Sequence, residues 1–233
     1  MPLPTRNAWL YGWFARYVRW KLKRTFASVE ALTPRGRWTD LLAGAGGQPA
    51  VSLPGLAGRP VLVAMTHPSW WDPLAAVALE HGVAELRGRA GYAPIDSGML
   101  ERYGVFKRLG FFGVTRDSGA GARAFLGAGR AVLGGEGAAG RALWVTAAGR
   151  FHDPRERPVP IAPGCGRLLR GCAAAVCLPV ALEYPATDTP KPRLCIGVGE
   201  PLPSEDATSL PAAMAAVSDR LAEQVQLRRP AEA

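Results

Sequence analysis

Cysteine and histidine are both scarce in this chain, and their scarcity narrows its chemistry. The four cysteines, Cys165, Cys172, Cys177 and Cys195, form no CxxC pair, and there are only three histidines. No metal site is therefore expected, and the thiols read as small buried groups in a reducing compartment. No run of 18 apolar residues occurs, so a membrane-spanning helix is not expected. The N-terminus lacks the uninterrupted apolar core and small-residue cleavage site of a secretory signal. A Gly-x-Ser-x-Gly elbow is missing, which argues against a serine hydrolase. No proper GxGxxG follows a strand, so no nucleotide-binding fold is expected. Acidic residues are absent from the first 29 positions.

That last absence shapes the charge. The chain carries 28 Lys and Arg against 19 Asp and Glu, a formal +9 over 233 residues. Arg6, Arg16, Arg19, Lys21, Lys23 and Arg24 all precede the first acid, Glu30, so this segment holds +6 and leaves +3 for the rest. The basicity is a patch, and hydrophobic content of 48% marks the remainder as a folded globular domain. Aromatic residues are interleaved with these cations. At helical spacing Trp9, Trp13, Tyr17 and Trp20 share one side of Asn7–Phe26 with Leu10 and Phe14, while Arg16, Arg19 and Lys23 form a basic row on another. Rings and cations on one helix suit a membrane interface, where rings sit at headgroup depth and cations meet anionic lipid. Single-stranded nucleic acid, or an ordinary helix packed on the domain, would use the same residue types. The membrane reading is favoured, since the charge concentrates outside the folded domain, and no nucleic-acid partner is expected. Part of the same helix face is open to packing on the domain, and deleting Asn7–Phe26 is expected to release the protein from the membrane. The chain thus divides into a basic aromatic helix at 1–29 and an α/β domain at 30–233.

After a Pro- and Gly-rich passage (Thr33 to Pro60), apolar runs alternate with helical patterns. Strands are expected at Pro60–Thr66, Arg89–Ala93, Phe111–Thr115, Arg141–Thr146, Val176–Glu183 and Arg193–Val198. Helices are expected at Pro73–His81, Gly98–Leu109, Ala120–Leu133, Gly166–Ala175 and Ala212–Leu227. This alternation predicts an α/β fold, a mixed, mostly parallel sheet flanked by helices, with an N-terminal amphipathic helix on the membrane surface. Pro179 inside a strand pattern predicts an edge or a bulge there.

The chain is organised around Val61–Leu74. Val61 to Met65 reads as a buried strand, and Asp72-Pro73 as a helix start with Asp72 at the N-cap. His67 then lies just past the carboxyl end of a strand, where open α/β sheets place ligands. A neutral imidazole there can take the proton of an alcohol attacking an acyl carbon, and Asp72 can accept the other ring N–H. This is the His–Asp half of a triad without its serine, suited to a substrate hydroxyl as nucleophile. Three later stretches also follow strands. Gly113-Val114-Thr115-Arg116 ends in an arginine able to fork onto a phosphate or carboxylate. Thr146-Ala147-Ala148-Gly149-Arg150-Phe151 combines a glycine turn with an arginine. Val176–Glu183 carries Pro179 within an apolar strand.

In their order and spacing these stretches resemble the glycerolipid acyltransferase family, the bacterial lysophosphatidate acyltransferases and their relatives. His67 and Asp72 match the family's His-x4-Asp (HxxxxD) motif, with Ser69 also common there. Gly113 and Arg116 match the second motif, and Leu178-Pro179-Val180 the fourth. The third, normally Phe-Pro-Glu-Gly-Thr-Arg, is matched in part: Gly149 is kept, Ala148 replaces the glutamate and Arg150 the threonine. The resemblance covers roughly Pro60 to Glu183. It implies transfer of a fatty acyl group from acyl-CoA or acyl-carrier protein to a lipid hydroxyl, as in phospholipid biosynthesis, at the cytoplasmic face of a membrane by peripheral attachment. His67 would be the general base and Asp72 its orienting partner, with Arg116, Gly149 and Arg150 near the acceptor's anionic group. Trp70 and Trp71 would line an acyl path or dip into lipid, core packing being the other account of both. The thioester is a co-substrate and no cofactor is implied. The altered third motif points to an acceptor other than lysophosphatidate, such as a glycosylated carotenoid, an amino-acid lipid or a sugar lipid. A catalytically inactive lipid-binding adaptor, or a thioesterase using the same pair on water, are the alternatives.

Overall fold

A computed structural model describes residues 3–42 and 48–228. Helix α1 (Ala8–Thr25) leads into strands β1 (Ser28–Leu32) and β2 (Trp38–Asp40). There follow β3 (Val61–Met65), α2 (Asp72–Gly82), β4 (Ala90–Asp96), α3 (Ser97–Arg102), α4 (Val105–Arg108), β5 (Phe111–Val114) and α5 (Gly119–Leu133). The chain continues through β6 (Arg141–Thr146), α6 (Pro163–Arg170), β7 (Val176–Glu183), β8 (Arg193–Val198), β9 (Leu202–Pro203) and α7 (Leu210–Leu227). Residues 43–47, inside the Pro- and Gly-rich passage, lie outside the described residues. Among the described residues the sheet has nine strands in the order β2-β1-β8-β7-β3-β6-β4-β5, with β9 added beside β7. The run β7-β3-β6-β4-β5 is parallel throughout, and β8 pairs antiparallel with β7. The fold is α/β with a mixed, mostly parallel sheet flanked by helices.

The continuous apolar run of β3 is explained by cover on both faces. Val61, Val63 and Met65 join one core with α1 and α2, while Leu62 and Ala64 join another with α5 and α6. A third cluster seats Val217, Leu221 and Val225 of α7 on Ala181 and Cys195. All six expected strands are present. The sheet also extends through β1, just before the passage read as Pro- and Gly-rich, and β2 within it, neither of them expected, and the helix expected over Gly98–Leu109 is two short ones.

Pro179 corrects an expectation. It lies in an interior strand, fully buried, between β3 on one side and β8 and β9 on the other. Its carbonyl accepts from Gly199 at 2.9 Å on the side away from β3. The N–H that proline lacks would point the same way, into the gap where the β9 pairing (Val176 and Cys177) ends and the β8 pairing (from Val180) begins. No ladder bond to β3 is lost, so neither an edge nor a bulge is needed.

Helix α1 starts where the Asn7 side chain accepts from the Leu10 amide at 2.9 Å, and it ends with Lys23 and Arg24 in the last turn, favourable for the helix dipole. Ala15, Val18 and Leu22 are buried against the sheet and Tyr11 and Phe14 pack beside them. Phe14 therefore leaves the row of tryptophans with which it was grouped. Trp9, Trp13, Tyr17 and Trp20 are all more than half exposed. Arg16 stacks over Trp13 and Arg24 over Trp20, at 4.8 and 5.1 Å. The boundary expected at residues 29/30 falls inside β1.

At the opposite end of the sheet from the strand termini that matter below, buried Arg89 donates to the carbonyls of Leu56, Arg59, Glu85 and Ala139. This guanidinium ties the loops before β3 and β6 together, a structural use of the charge.

Candidate active site

Strand order brings three of the four sequence motifs to one place. β3 lies between β6 and β7, parallel to both, so the loops leaving their carboxyl ends meet. Met65 accepts from the Ala147 amide at 2.7 Å, and Val180 accepts from the Thr66 amide at 3.0 Å. The Thr66 hydroxyl in turn accepts from the Leu182 amide at 2.9 Å. The loop carrying His67 is held from both sides.

His67 Nδ1 and Asp72 Oδ2 are 2.6 Å apart. Asp72 is completely buried, and its carboxylate is fully engaged: Oδ2 also accepts from the Ser69 amide at 3.2 Å, and Oδ1 from the Tyr184 hydroxyl at 2.6 Å. The Ser69 amide and the Tyr184 hydroxyl both donate to this carboxylate, which serves as the acceptor. With the carboxylate accepting from the ring as well, Nδ1 carries the proton and Nε2 presents its lone pair outward. Nε2 has no hydrogen-bond partner among the described residues. Asp72 does not cap α2: it is the first helical residue, Trp71 holds the N-cap position, and no side chain caps the helix there. The expected N-cap gives way because the carboxylate is turned to His67 and Tyr184 instead. Beside Asp72, burial and the carboxylate's own charge both push the Tyr184 phenol up, so it remains a donor.

The loop after β6 supplies the rest of the setting. Gly149 adopts φ of +68° and closes a turn onto Thr146 at 3.0 Å, which a β-carbon would strain. The chain then lays Phe151 flat on the His67 ring, centroids 4.0 Å apart, and Trp70 packs on Phe151 from beyond at 4.8 Å. His152 follows. Its Nε2 accepts from the His67 amide at 3.2 Å, its Nδ1 faces the Asp153 carbonyl at 2.9 Å, and its amide donates to the His67 carbonyl at 3.1 Å. Three further residues along, Arg155 reaches Glu183 at the end of β7, at 3.4 Å.

The other expected site residues are more dispersed. Arg116 follows β5, three strands from β3, so roughly 14 Å separates the two strand axes. It is exposed, with Asp96 at 3.8 Å. Arg150 is exposed and paired with Glu156 at 2.8 Å. The two tryptophans of the first motif part company: Trp70 is 81% exposed, while Trp71 is half-buried, edge-on to Phe26 at 5.5 Å. Neither belongs to the wall of the pocket described next. His152 and Tyr184 were not singled out from the sequence. The usable signal was position: each closely follows a strand whose neighbour carries His67.

Next to the dyad an apolar pocket runs between the sheet and helices α1 and α2. It holds about 750 Å³ of empty space, part of it open to solvent. Met65, Pro73 and Thr146 line it near the strand ends, and Tyr11, Phe14, Val77, Tyr92, Phe111 and Trp144 line it further in. Glu80 is the one acid in its wall. Burial pushes this carboxyl up to about 7, although the Tyr11 hydroxyl donates to it and Arg6 lies 3.9 Å away, both acting to lower it. The folded protein thus keeps a proton that the unfolded chain releases near its ordinary 4.5. The resulting stability is complete below that value and is lost as pH rises through 7. Across that range the loss amounts to about 3 kcal/mol. Urea unfolding of wild type and Glu80→Gln at both ends of the range is expected to show wild type losing ground to the variant as pH rises. Parallel pH profiles would refute the burial argument.

Among the described residues no three His, Cys, Asp or Glu side chains gather as a metal ion would require. All four cysteines are free and buried, and burial pushes the Cys165 and Cys195 thiols each up to about 12, which removes them as nucleophiles at neutral pH. No protein-family model matches the chain, and no curated protein does.

Proposed function

We propose that the protein is an O-acyltransferase that moves a fatty acyl group from an acyl-CoA or acyl-carrier-protein thioester to the hydroxyl of a membrane lipid. The observation that carries this reading is a histidine with Nδ1 bound to a buried carboxylate at 2.6 Å and its Nε2 without a partner among the described residues, set beside an apolar pocket. Nε2 takes the proton of the acceptor alcohol as its oxygen attacks the thioester carbonyl. Asp72 stabilises the imidazolium that results, and Tyr184 and Ser69 hold Asp72 in place. When the tetrahedral intermediate collapses, the C–S bond breaks and the leaving thiolate recovers the proton from His67. The acyl chain lies in the pocket between α1, α2 and the sheet. Arg116 is free enough to meet an acceptor's anion, whereas Arg150 is engaged with Glu156. That engagement, with Ala148 in place of a carboxylate, supports an acceptor other than lysophosphatidate.

The test is thiol release from acyl-CoA across a panel of lipid acceptors. Acceptor-dependent release supports the transferase. Release independent of any acceptor converts the reading to a thioesterase, and lipid binding with no release at all converts it to an adaptor.

The same reading places the protein peripherally on the cytoplasmic face of a membrane. No described helix is long and apolar enough to cross one. Exposed Trp9, Trp13, Tyr17 and Trp20, with Arg16 and Lys23 among them, are suited to an anionic lipid surface, and free buried thiols suit its reducing side. Deleting Asn7–Phe26 is not the way to test this, because Ala15, Val18, Leu22 and Phe26 belong to the core. The double variant Arg16→Gln, Lys23→Gln leaves that core intact. It is expected to weaken binding to anionic vesicles by about 2 kcal/mol, roughly 30-fold in partition. Unchanged co-sedimentation at low salt would remove the electrostatic anchor.

A further inference from the structure

The apolar pocket has a polar patch deep in its wall, on the side of β4. Gly91 leaves an opening there: a β-carbon built on it would lie 3.4 Å from Trp144 Nε1 and 3.5 Å from Glu80 Oε2. All three residues line the pocket. The two atoms are of opposite hydrogen-bonding sense. Trp144 is 92% buried but its indole nitrogen stays reachable from the pocket, and that N–H, which can only donate, makes no hydrogen bond among the described residues. Glu80 Oε2 accepts from the Tyr11 hydroxyl and keeps a second lone-pair site. A hydrocarbon chain satisfies neither atom. A group that both accepts and donates satisfies both, and the smallest such group on a fatty chain is a hydroxyl.

We propose that this pocket recognises an acyl chain bearing a mid-chain hydroxyl, whose oxygen accepts from Trp144 Nε1 and whose proton is donated to Glu80 Oε2. The place along the chain follows from α2. Glu80 lies eight residues beyond Asp72 on this helix, about 12 Å along its axis from the catalytic end. A hydroxyl on the third carbon stays beside the thioester and does not reach the patch. A side chain at position 91 would set its β-carbon in van der Waals contact with both atoms, so glycine there keeps donor and acceptor open to the pocket.

The proposal rests on the pocket holding the acyl group, so its test has one arm that needs turnover and one that does not. In the first, kcat/KM is compared for acyl-CoA thioesters hydroxylated at mid-chain, hydroxylated at the third carbon, or unsubstituted. Wild type is expected to prefer the mid-chain hydroxyl by roughly 10- to 100-fold over both, because plain hydrocarbon leaves the Trp144 N–H unpaired and the second acceptor site of Glu80 Oε2 unused. Trp144→Phe, which removes only the donor and keeps an aromatic ring, is expected to cut that ratio about tenfold. Glu80→Gln, in which the amide oxygen still accepts, is expected to cut it less. In the second arm, calorimetry with the free hydroxylated and unsubstituted fatty acids reads the same preference without catalysis. Turnover with no preference for the hydroxyl overturns this proposal and leaves the acyltransferase intact. Selective binding of the hydroxylated acid without any turnover supports the pocket and overturns the acyltransferase. Equal binding of the two acids overturns the pocket proposal whatever the enzyme does.

Discussion

His67→Ala is expected to lower acceptor-dependent thiol release roughly 10²–10⁴-fold, the range that a positioned general base supplies. The chemistry leaves little to replace it. Among the described residues His67 Nε2 has no hydrogen-bond partner, whereas His152 has both ring nitrogens engaged, one with the His67 amide and one with the Asp153 carbonyl. Asp72→Asn is expected to cost on the order of 10²–10³-fold by a different route. An amide can present its NH₂ group to His67 Nδ1, which forces the ring proton onto Nε2 and blocks the lone pair. It also supplies no charge to offset the imidazolium, and leaves the Tyr184 hydroxyl with a weaker acceptor. The measurement is the single-turnover rate at saturating thioester, which separates chemistry from binding and product release. An unchanged rate in His67→Ala, in protein shown to be folded, would end the general-base assignment and with it the mechanism.

The parts of this site legible in the sequence were those written within one short stretch. Val61–Met65 reads as a strand because both of its faces are apolar, and the spacing of His67 and Asp72 lets the two meet across a single loop at 2.6 Å. The alternation of apolar runs and helical patterns likewise gave the sheet and its flanking helices. Missing from that reading is whatever depends on which strands become neighbours. Tyr184 meets Asp72 across 112 residues and His152 meets His67 across 85, contacts created by β7 and β6 flanking β3. Arg116 shows the converse: it looks like part of the same constellation in sequence, yet its strand stands three places away. Pro179 turns on the same unknown. A missing N–H is costly only if a neighbour needs it, and which side of β7 lacks a ladder partner at that point depends on where β8 and β9 stop.

Helix α1 combines both kinds of information. Its composition suits the proposed membrane interface, since cations and rings occur there without a single acid. The structure adds that the same helix walls the pocket, through Tyr11 and Phe14, while Trp9 and Trp13 face outward. A residue that looks like part of one aromatic surface can therefore serve two. Under the proposed acyltransferase reading, in which acyl donor and lipid acceptor meet at a membrane, this shortens the path between lipid and pocket to the thickness of one helix.

His152→Ala is expected to lower kcat roughly 10²-fold while moving the KM for the thioester little. The reasoning starts from what His152 touches, which is not the reacting centre but the peptide backbone of His67. Ring Nε2 accepts the His67 N–H, and the amide of His152 donates to the His67 carbonyl, so both main-chain groups of the proposed base are fixed by one residue. The same loop carries Phe151, whose ring covers a face of the His67 imidazole. Alanine keeps the amide bond but removes the acceptor, leaving the His67 N–H unpaired in a half-buried loop and freeing the loop to drift. A displacement of about 1 Å at a base is enough for a loss of that size. Asn at the same position can offer a side-chain oxygen to the His67 N–H, so His152→Asn is expected to recover part of the rate, and the Ala variant none. A role confined to folding makes a different prediction: kcat and the folded fraction would fall together, and Asn would rescue both or neither. Full activity in folded His152→Ala would show that the His67 loop holds its shape without this contact, and that β3 and β7 position the base unaided.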